Sequence, residues 1–300
     1  MWKEKFIKHL RYEKNYSSLT EISYLTDLTQ FEAFITEECG TFDPTAVDSD
    51  LIRIWISRLM EQGLKARSVN RKLSAVKSFF RYLKKNAVIT RNPAEAIPGP
   101  KGTKRLPSFV NDQEMTLVID NPLNYPDNFR GHRDHFLIEL LYLTGMRRAE
   151  VISLTDKDID FGASTLRVTG KRNKQRIIPF SEETKEKIKK YIEKRDEEIE
   201  NKSPFLFVKE DGEPLYPKLV YNIIHSHLSS ISTLSRKSPH VLRHSFATEM
   251  LNNGAEINAV KELLGHTSLA STEVYTHVTF EELKKAYDNA HPRAKKMKEE

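Results

Sequence analysis

The sequence predicts a mainly α-helical protein with one small antiparallel β-sheet, divided into two domains. Long stretches repeat apolar residues at steps of three and four, which is the period of an amphipathic helix. Two short runs rich in β-branched residues flank a segment with glycine and asparagine, which indicates a hairpin. At 300 residues the chain is long enough for two domains that each bury a core.

The composition is typical of a soluble globular protein. Hydrophobic residues make up 38% of the chain and charged residues 30%, and no apolar run approaches the roughly 20 residues of a membrane span. The first residues, MWKEKFIKHLRYEKNY, are too charged for a signal peptide. Cys39 is the only cysteine, which excludes an intramolecular disulfide and a cysteine-rich zinc cluster. We therefore expect a cytoplasmic protein with no membrane association.

The N-terminal part of the sequence predicts helices joined by short connections. A capping box at Ser18–Glu21 opens a helix that ends near Gly40. A second helix is expected over 47–62 and a third over 67–85, whose apolar residues form a continuous stripe. We assign residues 1–97 to this all-helical domain. In the helix that follows the capping box, the apolar face expected to be buried consists of Ile22, Leu25, Leu28, Phe31, Phe34 and Ile35.

The face of the third helix opposite its apolar stripe is basic. Between Gly63 and Asn111 the sequence has twelve basic residues and a single acid, Glu95. A run of charge is usually a solvated face, but such faces interleave both signs and this one does not. One-sided positive charge with small polar residues between suits the phosphate backbone of double-stranded DNA. The DNA contacts predicted here are Arg67, Arg71, Lys72, Lys77, Arg81 and Lys85.

A segment rich in proline and glycine, residues 98–108, interrupts the helical periodicity and predicts a semi-extended linker. Its basic side chains, Lys101, Lys104 and Arg105, are further candidates for DNA contact. Two lobes joined by a basic strap can close around a duplex. We assign residues 109–300 to the second domain.

The second domain is predicted to combine helices with short strands. Asn111–Glu114 is a capping signal for one helix, and a strongly apolar helix after it ends at Gly145. Two β-type runs, 165–169 and 176–180, predict a hairpin, and Phe205–Val208 predicts another short strand. From the residues alone, the hairpin tip is a solvent-exposed basic turn. Further helices are expected over 182–200, 218–228, 240–253 and 257–264.

Residues near the C-terminus suggest a site for an anionic group. His240 and Arg243 are three residues apart, so on a helix they share one face and can converge on a single anion. His266 follows a predicted helix end, and Tyr275 lies nine residues later. Singly, such a histidine is usually a packed or surface residue and such a tyrosine is usually core. Together they form a cationic, hydrogen-bonding pocket that suits a tyrosine attacking phosphorus.

Three fragments, H-V-L-R-H-S-F-A-T, L-L-G-H and V-Y-T-H-V, resemble the active-site block of the tyrosine recombinases, and most closely the Xer-type and phage-integrase-like members. T-G-M-R-R-A-E is similar to the family's first arginine block, which implies that Arg147 is catalytic and that Glu150 holds it in place. Arg147 also opens a predicted helix, where the amide groups and the dipole favour an anion. Arg148 is left open between a phosphate contact and a surface ion pair.

The resemblance extends to both domains. SVNRKLSAVKSFFRYL is similar to the last long helix of the family's SAM-like DNA-clamping domain, and the second domain then has the α+β tyrosine-recombinase catalytic fold. The hairpin G-K-R-N-K-Q-R is similar to the one that presents a catalytic lysine in the minor groove beside the scissile phosphate, here Lys171. Arg172 and Lys174 then lie next to the DNA.

The resemblance also implies one reaction. Arg147 and Arg243 supply planar charged forks for the non-bridging phosphate oxygens, and His240 assists deprotonation of Tyr275. Lys171 protonates the leaving 5′ oxygen. A 3′-phosphotyrosyl intermediate keeps the bond energy, so the step is reversible without ATP, and no metal or other cofactor is expected. The implied catalytic residues are Arg147, Lys171, His240, Arg243, His266 and Tyr275.

The last predicted helix is amphipathic through Phe280, Leu283 and Tyr287. Such a helix usually docks on its own domain. The resemblance implies instead that it passes to a neighbouring protomer, within a homo- or hetero-tetramer on DNA that exchanges strands through a Holliday junction. A DNA translocase is a candidate activator, and the expected location is the nucleoid.

Four other interpretations compete. A zinc hydrolase would use His240 and His244, four apart, but Val241 stands where a metalloprotease needs glutamate. A non-catalytic DNA-binding protein would lack one of the six implied residues. A type IB topoisomerase shares the chemistry but relaxes DNA as a monomer. Within the recombinases, we favour Xer-like resolution of chromosome or plasmid dimers over integration, excision or inversion of a mobile element.

Overall fold

The computed structural model describes residues 2–102, 109–170, 173–201, 203–229, 237–265, 279–291 and 293. The chain divides into two compact units, Met1–Arg105 and Leu106–Glu300, which we term the N-terminal and C-terminal units. The described residues are mostly helical and include a small antiparallel sheet. The predicted fold class is therefore confirmed.

The N-terminal unit is a bundle of helices around an aromatic core. Phe31, Trp55 and Phe80 are among its most buried side chains, and the Phe31 and Trp55 rings meet edge to face with their centroids 4.9 Å apart. The last helix contacts each of the other three, so it is the central element of this unit. The helices are α1 (Trp2–Tyr12), α2 (Ser18–Cys39), α3 (Ser49–Glu61) and α4 (Ala66–Lys85).

The start of α2 corrects two predictions. The N-cap is Ser17, whose side chain accepts from the Thr20 amide, so the predicted box at Ser18–Glu21 is one residue late. Glu21 instead accepts from Arg11 at 2.7 Å. Because Glu21 and Asp27 occupy the buried face with cationic partners, the first turns of α2 turn their apolar side chains outward. The exposed members of the predicted stripe are Ile22 and Leu25, at 60% and 40%.

The chain after α4 stays attached to the N-terminal unit. Ile97 is buried in its core, and the Lys77 ammonium donates to the Ile97 carbonyl at 2.7 Å. The Asn70 side chain donates to the Pro100 carbonyl at 2.9 Å. The first residues of the predicted 98–108 linker therefore lie against α4, while Lys104 and Arg105 lie outside the described residues.

The C-terminal unit carries the remaining helices and the sheet. The described strands form a sheet in the order β1-β2-β3, with antiparallel pairing throughout and Leu166 opposite Ile178. The predicted hairpin is thus present, but the predicted strand at Phe205–Val208 is wrong, because these residues make only isolated bridges. The elements are α5 (Asp112–Ile119), α6 (Phe129–Thr144), α7 (Arg148–Ser153), β1 (Ile159–Asp160), β2 (Thr165–Thr169), β3 (Gln175–Pro179), α8 (Glu182–Glu198), α9 (Pro217–Ser229), α10 (Pro239–Asn252), α11 (Ile257–Leu264) and α12 (Phe280–Ala290).

The core of the C-terminal unit is built around α6. Leu137, Ile138, Leu140 and Leu141 are all fully buried, so this helix is covered around its circumference, mainly by α8 and α10. Burial on every side explains why residues 136–143 of α6 are apolar apart from Glu139, whose carboxylate is paired with Lys187 and Arg293. Across the described ranges, no helix combines the length and the hydropathy that a membrane span requires.

Gly145 ends α6 where three helices meet. Its φ of +59° is left-handed, and its amide donates to the Leu141 carbonyl at 3.0 Å. A Cβ at this position would lie 2.6 Å from Phe246 Cδ1 and 2.9 Å from Leu264 Cδ2. Both the backbone conformation and the close approach of α10 and α11 therefore require glycine.

We predict that Gly145→Ala lowers the free energy of unfolding by about 2–4 kcal/mol, since a left-handed residue costs about 1–2 kcal/mol and the overlap with Phe246 adds to it. Gly254→Ala is the control, because Gly254 has a φ of +84° with no atom within 4 Å of a built Cβ. The control should lose only about 1–2 kcal/mol in urea unfolding. Equal losses in the two variants would contradict the packing argument.

Candidate active site

The candidate site is assembled on the C-terminal end of α11. Three consecutive carbonyl groups there, those of Leu263, Leu264 and Gly265, each accept a hydrogen bond from an arginine of a different element. The last carbonyls of a helix have no partner within it and form the negative end of its dipole, so cations are favoured. The donors, in the order of these carbonyls, are Arg176 at 2.7 Å, Arg243 at 2.6 Å and Arg147 at 3.1 Å.

Arg243 is the most enclosed of the predicted catalytic residues that the structure describes. It lies on α10, is 8% exposed, and also donates to the Gly145 carbonyl at 2.5 Å. Burial lowers the pKa of Arg243 to about 10, and the charges of Arg147 and Arg176 add to the shift while Glu150 opposes it. The side chain remains protonated at neutral pH, but it is short of negative charge, which a bound anion would supply.

Arg147 precedes α7 and is held by Glu150, as the sequence predicts. Its backbone amide donates to Glu150 Oε2 at 2.7 Å and its Nη1 donates to Oε1 at 2.8 Å. The Arg147 side chain is 31% exposed while that of Glu150 is 3% exposed. The carboxylate is therefore the buried anchor, and the guanidinium can still be reached from solvent.

Arg176 belongs to the same cluster, although sequence reasoning treated it only as the first residue of a strand. It donates to both oxygens of Glu150, at 3.0 and 2.9 Å. Burial alone would raise the pKa of Glu150, but the bonds and charges of Arg176 and Arg147 outweigh it, and this pKa lies below its ordinary value. The signal that could have revealed Arg176 is strand alternation, since it shares a face with the fully buried Ile178.

His240 lies on the exposed side of the first turn of α10. Partial loss of hydration lowers the pKa of His240, and the charges of Arg148, Arg243 and Arg147 lower it further. The imidazole is therefore neutral at pH 7 and can accept a proton. Arg148, whose role the sequence left open, donates to the Pro217 carbonyl at 3.1 Å and contributes to this field.

Three of the six predicted catalytic residues are described: Arg147 and Arg243 bond consecutive carbonyls at the end of α11, and His240 lies three residues before Arg243 on α10. The other three fall outside the described residues. Their roles stay predictions. These three catalytic residues are Lys171, His266 and Tyr275, and the predicted DNA contact Arg172 also lies outside the described residues. The two ends of the hairpin tip are joined by a hydrogen bond from the Gly170 amide to the Lys174 carbonyl at 2.8 Å.

The predicted DNA contacts on α4 differ in their environment. The Lys72 ammonium is buried against Asp27 and Gln30, so it ties α4 to α2, and we withdraw it as a DNA contact. Arg71 also bonds Asp27, with one oxygen at 2.9 Å, but stays half exposed. Exposed side chains that bond no other residue in the described part of the chain are Arg67, Arg81, Lys85, Lys101 and Lys174.

The zinc interpretation finds no support in the described geometry. No group of three or more histidine, cysteine, aspartate or glutamate side chains is arranged around a common point in the ranges that the structure covers. His244 instead packs edge to face against Phe109, with ring centroids 6.2 Å apart. The His240 and His244 pair therefore lacks a third ligand among these residues.

The C-terminal helix α12 docks on its own unit. Leu283 is 7% exposed and Tyr287 is 1% exposed, because both pack against α10 and α11, whereas Phe280 is 40% exposed. Beyond α12, Arg293 donates to Glu139 at 3.3 Å and to Asp120 at 2.8 Å. Leu283 and Tyr287 are thus covered in the single chain, so transfer to a neighbour would require α12 to leave this position.

Comparison with known proteins identifies relatives along the whole chain. The model of the phage integrase family matches residues 109–282, and that of the phage integrase N-terminal SAM-like domain matches residues 4–87. The chain is 38% identical to tyrosine recombinase XerC of Chlorobaculum tepidum, over 98% of this chain and 95% of the relative. It is 37% identical to tyrosine recombinase XerC of Bacillus subtilis, over 96% and 95%.

Solved structures share the fold. A XerH site-specific recombinase bound to a palindromic difH substrate aligns with a TM-score of 0.72 at 22% identity, over 95% of this chain and 84% of that one. The Tn1549 transposon integrase, in complex with circular intermediate DNA, aligns with a TM-score of 0.69 at 20% identity, over 95% and 98%. The chain therefore belongs to the phage integrase family, the tyrosine recombinases.

Proposed function

We propose that this protein is a site-specific recombinase that cuts and rejoins DNA strands through a 3′-phosphotyrosyl intermediate and a Holliday junction. The observation that carries the proposal is the convergence of Arg147 and Arg243 on the end of α11, directly before His266, in a chain of the tyrosine recombinase family. The non-bridging oxygens of a phosphodiester match the geometry of such a pair of planar forks.

The two guanidinium groups are fixed before substrate arrives. Arg147 is bonded to Glu150 and to the Gly265 carbonyl, and Arg243 is bonded to two carbonyls. Each guanidinium has more N–H donors than these bonds use, so donors remain for the non-bridging oxygens of a phosphate. Prearranged donors need no reorganisation as charge develops, and removing one typically costs about 10²–10³ in rate.

We assign the remaining roles to three side chains. The reference pKa of tyrosine is about 10, so only about one in a thousand Tyr275 hydroxyls is ionised at neutral pH. Neutral His240 accepts the proton as the Tyr275 oxygen attacks phosphorus and the bond to the 5′ oxygen breaks. Lys171 donates a proton to that leaving oxygen, and His266 hydrogen-bonds the phosphate. The 5′ hydroxyl of another strand reverses the step, so no energy source is consumed.

Double-stranded DNA with a specific recombination site is the proposed substrate. The exposed cations of α4 present a row of positive charge to a duplex backbone, with Lys101 and Lys174 as further contacts. Structures with the same fold, the XerH recombinase and the Tn1549 integrase, are bound to DNA. The α4 residues that we propose for backbone contact are Arg67, Arg71, Arg81 and Lys85.

We propose an Xer-like role, the resolution of chromosome or plasmid dimers, because relatives named XerC align over nearly the full chain at 37–38% identity. Four protomers, identical or paired with a paralogue, then assemble on two sites, and α12 moves from its own unit to a neighbour. Integration of a mobile element by the same chemistry is the second candidate, and the fold shared with a transposon integrase favours it.

We predict that wild-type protein forms a covalent adduct on a nicked suicide substrate and that Tyr275→Phe abolishes it, because the nucleophilic oxygen is lost. Tyr216→Phe is the matched control, since Tyr216 is 49% exposed and lies outside the cluster, and it should keep the adduct. Sequencing the captured DNA identifies the site. An adduct that persists in Tyr275→Phe would disprove the assignment of the nucleophile.

The lowered pKa of His240 predicts that kcat/KM for cleavage begins to fall on the acid side, the acid limb of its pH profile, at an unusually low pH. A base with a depressed pKa stays neutral below the ordinary histidine value of about 6.5, so kcat/KM for cleavage should hold through that pH and fall only at lower pH. His240→Gln should lose this limb and about 10²–10⁴ in rate. Arg148→Gln should shift the limb to higher pH. A wild-type limb at or above the ordinary value would contradict the proposed field.

Loss of the α4 cations should weaken DNA binding in a salt-dependent way. For the triple variant Arg67→Gln, Arg81→Gln and Lys85→Gln, we predict that the slope of log K against log salt falls by about 3, about 1 per phosphate contact. The charge-matched control removes three lysines of α8 and should leave the slope unchanged. An unchanged slope in the α4 variant would rule out the proposed contacts. The control lysines are Lys189, Lys190 and Lys194.

A further inference from the structure

Each of the three guanidinium nitrogens of Arg176 donates a hydrogen bond to another part of the protein. Its Nε donates to the Leu263 carbonyl at 2.7 Å, and its two terminal nitrogens donate to the two oxygens of Glu150 at 3.0 and 2.9 Å. Its side chain is 7% exposed. Since all three nitrogens bond protein groups and the side chain has almost no access to solvent, this guanidinium is not available to a substrate.

We propose that Arg176 is the positioning residue that sets the orientation of Arg147 through Glu150 and fixes the end of α11 against the hairpin. This inference rests on the proposed recombinase function and adds a residue to its machinery. Arg176 acts through its neighbours and does not touch the DNA phosphate.

The shared carboxylate is the first link. Glu150 Oε1 accepts from Nη1 of both Arg147 and Arg176, at 2.8 and 3.0 Å, while Oε2 accepts from the Arg147 amide and from Arg176 Nη2. Without Arg176, the buried carboxylate keeps only the bonds from Arg147. It is then free to rotate toward that remaining partner, and the Arg147 fork follows it away from the phosphate position.

The end of α11 is the second link. Loss of Arg176 leaves the Leu263 carbonyl without its side-chain donor, in a region where an unpaired buried acceptor is costly. Arg176 also packs on the backbone of Gly265, where a Cβ would lie only 3.0 Å from Arg176 Cδ. This contact lies one residue before His266 in the sequence.

The base of the hairpin is the third link. Arg176 is paired opposite Val168 in the β2–β3 ladder. A Cβ on Gly170 would lie 3.4 Å from Glu150 Oε1, so the carboxylate also lies beside the residue that precedes Lys171. One ion pair thus joins the hairpin, α7 and α11, which carry or adjoin Lys171, Arg147 and His266.

Lysine should not replace this arginine. A single ammonium cannot bond both oxygens of Glu150 and the Leu263 carbonyl in one plane, as the guanidinium fork does. Arg176→Lys therefore keeps the charge but loses the geometry. If charge alone mattered, lysine would restore activity, so this substitution separates the two explanations.

The test is single-turnover cleavage of a suicide substrate at saturating DNA, with Kd measured in parallel. We expect Arg176→Lys and Arg176→Gln each to slow adduct formation by about 10²-fold, as a displacement of about 1 Å does, with Kd within about twofold of wild type. Arg167→Gln is the matched control. Arg167 lies on the neighbouring strand β2, is 49% exposed and pairs with Asp158, so its loss should leave the rate unchanged.

Two readouts distinguish positioning from a general loss of structure. The losses should be less than additive, so Arg176→Gln should slow cleavage by a smaller factor in a Glu150→Gln background, where only its contacts with the end of α11 remain to be lost, than in the wild-type background. The rate of Arg176→Gln relative to wild type should also rise with pH, because Glu150 without Arg176 is protonated more readily and holds Arg147 only once it ionises. Should Arg176→Gln be unfolded at the assay temperature, Arg176→Lys carries the additivity measurement.

The inference is overturned if either variant cleaves at the wild-type rate, if the losses at Arg176 and Glu150 are additive, or if Kd rises in step with the fall in rate. Those outcomes leave the proposed function intact, since wild type and Arg167→Gln would still form the adduct. Failure of the wild-type protein to form any adduct would instead count against the proposed function itself.

Discussion

The C-terminal unit depends on an electrostatic contact between one helix end and three arginines. A helix of ordinary length leaves its last carbonyls unpaired, and here the carbonyls of α11 are paired by side chains from β3, α10 and the residue before α7. The contact joins elements that are far apart in sequence. It also bears on Gly265, where the φ is left-handed and a Cβ would lie 3.0 Å from Arg176 Cδ.

The cluster of Arg147, Arg176, Arg243 and Glu150 carries a net positive charge, which favours binding of an anion. Glu150 offsets part of the positive charge, but burial and the charges of Arg147 and Arg176 outweigh it and hold the pKa of Arg243 below its ordinary value. A phosphodiester would supply the missing negative charge at the point where the forks converge. The same field lowers the pKa of His240, so in our proposal one arrangement serves both to bind the phosphate and to keep a neutral base beside it.

Sequence reasoning succeeded where local chemistry decides the structure. The capping box at Asn111–Glu114, the end of α6 at Gly145 and the bounds of α11 all follow from short-range rules. It failed where a distant partner decides. Lys72 belongs to a basic face by periodicity, yet Asp27 of another helix draws it into the core, and Arg176 gains its meaning only from Glu150 and α11. Charge patterns along one helix cannot reveal which cations are already paired.

The most direct measurement is the structure of the protein trapped covalently on its recombination site. We expect the Tyr275 oxygen bonded to the 3′ phosphate, with the non-bridging oxygens about 2.7–3.1 Å from the guanidinium groups of Arg147 and Arg243. Arg176 should still bond Glu150 and the Leu263 carbonyl. A phosphate bound elsewhere, with both forks facing only protein, would contradict the central claim that this cluster is built to hold the scissile phosphate.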